Sequence, residues 1–436
     1  MAASMNVQQP VSLNLNIRGL GLSATLAIND KCQALQEQGR DVFRLGLGQS
    51  PFPVPDPVVR ALRTSADQRT YQPVHGLQVL REAVAKYHRE HEGVDVCPEC
   101  VLIGPGSKEL MFLLQLVYYG EILVRTPCWV SYVPQAQIIG RRISRLHTTY
   151  ESRWKVSAES LLRAIQIVQD DSRPRILVLN YPDNPTGLTY SVDELKELAE
   201  VARKYQVVVL SDEIYGRLHH TDKHVSIARF YPEGTIISSG LSKWCGAGGW
   251  RLGTFAFTPE LRWLMEAIAA AASETYTSVS APIQYAAVKA FGNGPEIEGY
   301  LQHARRILSA LGQRCCEVLH QAGIRVYVPQ GAFYLFLDFS PLTGPLAERG
   351  IRDAATLCAR LLDETGVAIL PGSAFVRPRH ELTARLAYVD FEGGAALEAS
   401  RQTPVDEPLP DRFLSQHCAR VLEGVARIAE WTQRRA

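Results

Sequence analysis

The chain has 436 residues, too many for one simple core, and suits two domains or one large domain with a smaller satellite. Its 46 Lys and Arg nearly balance 45 Asp and Glu, which leaves no excess charge for gripping a phosphate backbone and argues against nucleic-acid binding as the main task. The nine cysteines are odd in number and scattered, a pattern that fits a reducing cytosol better than a disulfide framework.

The opening MAASMNVQQPVSLNLN lacks a basic segment followed by an apolar one, and no apolar run approaches the ~20 residues that span a bilayer. The expectation is a cytoplasmic protein with no membrane partner. Further along, Cys97 and Cys100 form a single CPEC. Zinc would need a second pair or histidines at matching spacing, and none follows nearby, so no metal is expected. The tetrapeptide reads as a surface turn ahead of the strand VLIG, with no redox role.

From Val101 to about Phe257, short apolar, β-branched runs alternate with helical patterns. VLIG, SKELMFLLQLVYY and EILVRTP come first, then RILVLN, a helix, VVVLSDEI, TIISSG and RLGTFAFT. This alternation predicts an α/β domain with a mostly parallel central sheet flanked by helices. Ser191 and Glu194 form a capping box ahead of LKELAEVARKY. After about residue 305 a long helix pattern leads into IRVYVPQGAFYLFLDF, VAILPG, ARLAYVDF and a last helix, which predicts a smaller α+β domain. The boundaries are residues 1–45 for an N-terminal arm and first helix, 46–305 for the large domain and 306–436 for the small one. Within the last, the polar stretch 391–413 reads as an inserted surface loop, partly disordered.

In such sheets ligands sit beyond the carboxyl ends of the strands. VLIG ends in Gly104-Pro105-Gly106-Ser107 and opens a helix, a setting that suits phosphate. RILVLN runs into NYPDNPTG. VVVLSDEI delivers Asp212 and then Tyr215, and TIISSG delivers Lys243 and then Arg251 within SSGLSKWCGAGGWRLG. Singly these are a turn, a β-turn, a helix cap and a loop charge. In this order they meet the needs of pyridoxal 5'-phosphate: an amine for a Schiff base, an anion for the pyridinium nitrogen, donors for the phenolate oxygen and a phosphate cradle. A dinucleotide fingerprint fails, because GAGGWR and GPGSKE lack its third glycine.

With LGLGQSPFPVPDPVV, TYQPVHGLQVLREAVAKY, TPCWVSY, GAFYLF and PGSAF added, the chain resembles the class I/II aminotransferases of the fold-type I pyridoxal-phosphate family from about Gly21 to the last helix. The resemblance implies that Lys243 joins the cofactor as an imine and that Asp212 keeps the pyridine nitrogen protonated. It implies that Asn184 and Tyr215 bond the phenolate oxygen. Gly106, Ser107 and Lys108 amides, Arg251 and Tyr71 of the neighbouring subunit would hold the phosphate, which makes the enzyme a homodimer. Trp129 would stack on the ring; as an isolated residue it reads as a core aromatic. Arg385 would clamp the substrate α-carboxylate, and Gly48 would let the backbone approach the substrate, whereas Gly46 reads as strand spacing.

Two departures stand out. The serine expected three positions before the lysine is Gly240, so phosphate anchoring is expected to be weaker, or taken over by Ser242, Ser239 or a water. The 391–413 insertion exceeds the usual link and alters the entrance. Reversible transamination between an amino acid and a 2-oxo acid by a ping-pong route is the expected activity. A lyase of the β-elimination or aminocyclopropane-carboxylate synthase kind, and a non-catalytic binding protein, are the alternatives. Lys108 and Ser23-Ala24-Thr25 match residues that bacterial-type aspartate aminotransferases place around an acidic substrate, while another lysine they carry near Gly21 is replaced here.

Overall fold

The computed structural model describes residues 13–167 and 173–434; residues 1–12 of the expected N-terminal arm lie outside the described residues. Twelve strands are present among the described residues: β1 Phe43–Arg44, β2 Val101–Gly104, β3 Glu121–Thr126, β4 Ile143–His147, β5 Arg175–Asn180, β6 Val208–Asp212, β7 Thr235–Gly240, β8 Gly253–Ala256, β9 Tyr334–Asp338, β10 Val367–Ala368, β11 Leu370–Pro371 and β12 Thr383–Ala387. Seven form one sheet in the order β2-β8-β7-β6-β5-β3-β4. β8 runs antiparallel to both neighbours, and the other pairings are parallel.

The central strands are buried along their whole length, which is why they read as unbroken apolar runs. Alternate side chains divide between two cores. Ile122, Val124, Ile176, Val178 and Leu210 face one, and Leu123, Leu177, Leu179 and Val209 face the other, with Leu161, Ile165, Leu195 and Leu198 from the helices Ala158–Ile167 and Val192–Lys204. The second helix starts at the expected capping box, with Ser191 and Glu194 bonded reciprocally.

A second, antiparallel sheet has the order β11-β12-β9, and β1 pairs with β10 beside it. The helix Pro295–Gln321 has 27 residues and is about 40 Å long at 1.5 Å per residue. It runs through residue 305, so the border expected there falls inside one continuous helix. It packs against the C-terminal helix Ala419–Gln433 and the helix Gly393–Arg401.

That last helix corrects the expectation of a loop at 391–413. Ala396, Leu397 and Ser400 are buried on one helical face, and Ser400 Oγ meets His303 Nδ1 at 2.9 Å. Arg306 donates to the carbonyls of Thr403 and Glu407, tying down the polar stretch that follows. A second correction concerns the CPEC. It is the turn expected before β2, a 3-10 turn Pro98–Cys100, but Cys97 and Cys100 are joined as a disulfide and Cys100 is buried. The other seven cysteines are free and buried. No described helix is long and apolar enough to cross a membrane.

Candidate active site

The carboxyl ends of β5 and β6 stand level, with Asn180 opposite Asp212, while β7 has Ser238 opposite Asp212 and runs on to Gly240. Beyond them opens a cavity of about 550 Å³ that takes in Ser107, Lys108, Trp129, Asn184, Asp212, Tyr215, Lys243, Arg251 and Arg385 from scattered parts of the chain. Lys243 Nζ donates to the Gly48 carbonyl at 2.7 Å. Loss of water around its ammonium, with Arg385 and Arg251 nearby, pulls its pKa down to about 8, so the amine is partly neutral at mild pH.

Asp212 is buried on the floor of the cavity. Its Oδ2 accepts from the Tyr132 hydroxyl at 2.5 Å, and its Oδ1 has no hydrogen-bond partner. Burial raises the carboxyl pKa to about 6, against the opposing bonds from Tyr132 and the Ile214 amide. A buried carboxylate oxygen without a partner is a strong acceptor waiting for a donor. Trp129 is half-buried beside it, edge-on to Tyr132, with Lys108 Nζ 5.1 Å from its ring centre. It is therefore a cavity wall and not a core aromatic.

The far end is a cradle. Gly106 caps the helix Ser107–Val117 at φ +93°, a conformation that suits glycine, and a Cβ there would overlap the Arg251 guanidinium. A Cβ on Gly253 of β8 would overlap the Ser107 amide nitrogen, so the helix start and β8 touch backbone to backbone. The first amides of a helix have no intrahelical acceptor and favour an anion. Arg251 bonds the Gly248 carbonyl at 2.9 Å and reaches Ser242 Oγ at 3.5 Å.

Gly240 now has a physical reason. It sits at φ +151°, and a Cβ would come within 2.6 Å of the Leu252 carbonyl oxygen. No serine fits that backbone. Ser242 lines the cavity beside Arg251.

Opposite the lysine, Arg385 on β12 is buried, donating to Asn184 Oδ1 at 3.1 Å and to the Gly46 carbonyl at 2.5 Å, with Nε unpartnered. Gly46, expected to space a strand, sits in a bend just past β1, and its carbonyl tethers the guanidinium. Gly48 lines the cavity, and a Cβ there would overlap the Tyr334 hydroxyl. Tyr215 also meets Tyr334, hydroxyl to hydroxyl at 2.8 Å. Tyr71 stays apart from the cavity and is 85% exposed in the single chain. Reasoning from sequence missed Tyr132 and Tyr334. Both lay in matched stretches, TPCWVSY and GAFYLF, but an aromatic at a strand or helix end reads as core.

The fold is of the α/β class, and the cavity beyond its strand ends brings a desolvated amine, a buried carboxyl and a buried guanidinium together. Residues 40–387 match the sequence profile described as "Aminotransferase class I and II", and the chain belongs to that family of enzymes, which transfer amino groups. It is 33% identical to an aspartate aminotransferase of Geobacillus stearothermophilus, over 87% of this chain and 94% of the relative. It is 31% identical to an asparagine–oxo-acid transaminase of Streptococcus mutans, over 84% and 92%. The aspartate aminotransferase of Thermus thermophilus, solved with maleate, superposes with a TM-score of 0.81 at 28% identity, covering 96% of this chain and 99% of that one.

Proposed function

We propose that this aminotransferase holds pyridoxal 5'-phosphate in the cavity and moves an amino group from an acidic L-amino acid to a 2-oxo acid by a ping-pong route. The observation that carries the proposal is the orphaned Asp212 Oδ1, facing the same cavity as an amine and a guanidinium. The residues present fit that cofactor. Asp212 would accept from its ring nitrogen, Trp129 would cover its face, and Asn184 and Tyr215 would donate to its phenolate oxygen. The amides of Gly106, Ser107 and Lys108, with Arg251 and Ser242, would take the phosphate. When bound, the cofactor supplies a carbon that joins amines and a ring that draws electrons from the carbon next to the substrate nitrogen.

Every other part of the work falls to the chain. Arg385 receives the α-carboxylate, its Nε being the donor that no protein group takes up, and this fixes the substrate carbon with respect to Lys243. Lys243, partly neutral near pH 8, takes a proton from that carbon and later returns one. Asp212, held ionised by Tyr132, keeps a negative charge under the site. Lys108 has no carboxylate partner among the described residues and reaches into the cavity, where it suits a second, distal carboxylate. The aspartate-directed names of the relatives and the dicarboxylate in the Thermus structure support an acidic donor. Tyr71, exposed in one chain, would complete the phosphate site of a second chain, making a homodimer.

The test is a half-reaction. Enzyme loaded with pyridoxal phosphate is mixed with each common amino acid, and both the cofactor absorbance and the released oxo acid are followed. Aspartate or glutamate should convert one cofactor per site without releasing ammonia, and Lys108→Ala should raise KM for those two about tenfold while leaving monocarboxylic donors unaffected. Ammonia without oxo-acid transfer, or equal loss for every donor, would refute the proposal.

A further inference from the structure

Tyr334 lies on β9, on the small sheet, yet its side chain ends among groups from four other segments. Its hydroxyl is 2.8 Å from the Tyr215 hydroxyl and 3.5 Å from the Gly48 carbonyl oxygen. The Arg385 guanidinium lies over its ring, 4.8 Å from the centre, with the Phe375 ring 4.9 Å from the same cation. The ring is fully enclosed, and Gly48 lacks a side chain where a Cβ would strike it.

Either hydroxyl of the pair can be the donor, and Tyr334 has a second acceptor in the Gly48 carbonyl, which also accepts from Lys243 at 2.7 Å. With Tyr334 as the donor, Tyr215 keeps its own proton for the cavity. Reversed, the pair would consume the proton that Tyr215 has to offer a ligand.

We infer that Tyr334 is a positioning residue with two separable parts: its hydroxyl aims the Tyr215 proton at the bound cofactor, and its ring sets the plane of Arg385 for the substrate carboxylate. This rests on the proposed function, and the two parts predict different behaviour of two variants. Tyr334→Phe removes the hydroxyl and keeps the ring. Tyr334→Leu removes both.

In enzyme loaded with pyridoxal phosphate, Tyr334→Phe should shift the pH at which the cofactor absorbance titrates upward by about 0.5–1 unit, the size of one hydrogen bond. Lys243, Asp212, Lys108, Arg251 and Arg385 line the same cavity and remain in place. KM for the amino donor should stay within about twofold of the parent. Tyr334→Leu should show the same titration shift and, in addition, a KM raised about tenfold, from the loss of a desolvated cation–ring contact. In unloaded protein, melting losses of Tyr334→Phe and Tyr215→Phe should be smaller in the double variant than their sum, because one bond is broken twice. An unshifted titration in Tyr334→Phe, or additive melting losses, would overturn the hydroxyl role; equal KM values in the two variants would overturn the ring role. A parent that takes up no pyridoxal phosphate at all would instead refute the proposed function, while the melting cycle would still report on the tyrosine pair.

Discussion

Asp212 and Tyr132 form the residue pair on which the charge of the site depends. Burial alone favours the neutral acid, and the Tyr132 hydroxyl favours the anion. A carboxyl whose folded pKa is raised stabilises the fold fully below its unfolded value and loses that contribution as pH climbs through the folded one, here between about 3.8 and about 6. Tyr132→Phe moves the upper end of that window higher. In unloaded protein the melting deficit of the variant should therefore be small at pH 4 and grow towards pH 7, reaching about 1.5–3 kcal/mol for a bond to a charged group. A deficit independent of pH would show that the hydroxyl does not act on the carboxylate. Neither this tyrosine nor Tyr334 was legible in the sequence, because their partners lie 80 and 119 residues away. Lys243 taken alone reads as a loop charge, and it stands out only through the ordered set of strand ends around it and the family resemblance.

At the scale of elements, the sequence revealed six of the seven strands of the large sheet, each a short apolar run. It hid the helix at Gly393–Arg401, whose alanines and glycines give only a thin apolar face, and the short strand β4, whose side chains are mostly outside the core. It also hid a buried polar joint between the turn His88–Glu92, which extends the helix Gln78–Tyr87, and the end of β6. His88 Nδ1 meets Glu92 at 2.6 Å and His224 Nε2 meets Glu213 at 2.7 Å, with Glu213 also accepting from Ser211 and Ser226. Burial opposes charge on both imidazoles, yet the glutamates win and raise both pKa values above the usual histidine range. Their contribution is complete below the ordinary value of about 6.5 and disappears as pH rises through the higher folded values. The melting temperature should accordingly fall from pH 6.5 to pH 9, and Glu92→Gln should flatten that fall while lowering the melting temperature at pH 6. A parallel fall in the variant would exclude the pair as its source.

The whole molecule poses the question of the second chain. Tyr71 is 85% exposed although the helices on either side of it are well packed. If Tyr71 serves a neighbour, mixing Tyr71→Ala chains with Lys243→Ala chains should restore activity, since a hybrid dimer contains one intact site. About a quarter of parental activity is expected after random re-pairing of equal amounts, the half of dimers that are hybrid each having one good site of two. Two inactive parents that stay inactive when mixed, despite exchange demonstrated by labelled chains, would place Tyr71 outside the site.

The seven-stranded sheet carries Lys243 and Asp212, whereas Arg385 belongs to the three-stranded sheet. A compound that touches both would be a cross-brace between the two sheets. A rod about 40 Å long that turned by about 5° at one end would move its other end by about 3.5 Å, so a ligand-dependent change in the distance between probes at the two ends of the helix Pro295–Gln321 is the measurement that would reveal such bracing.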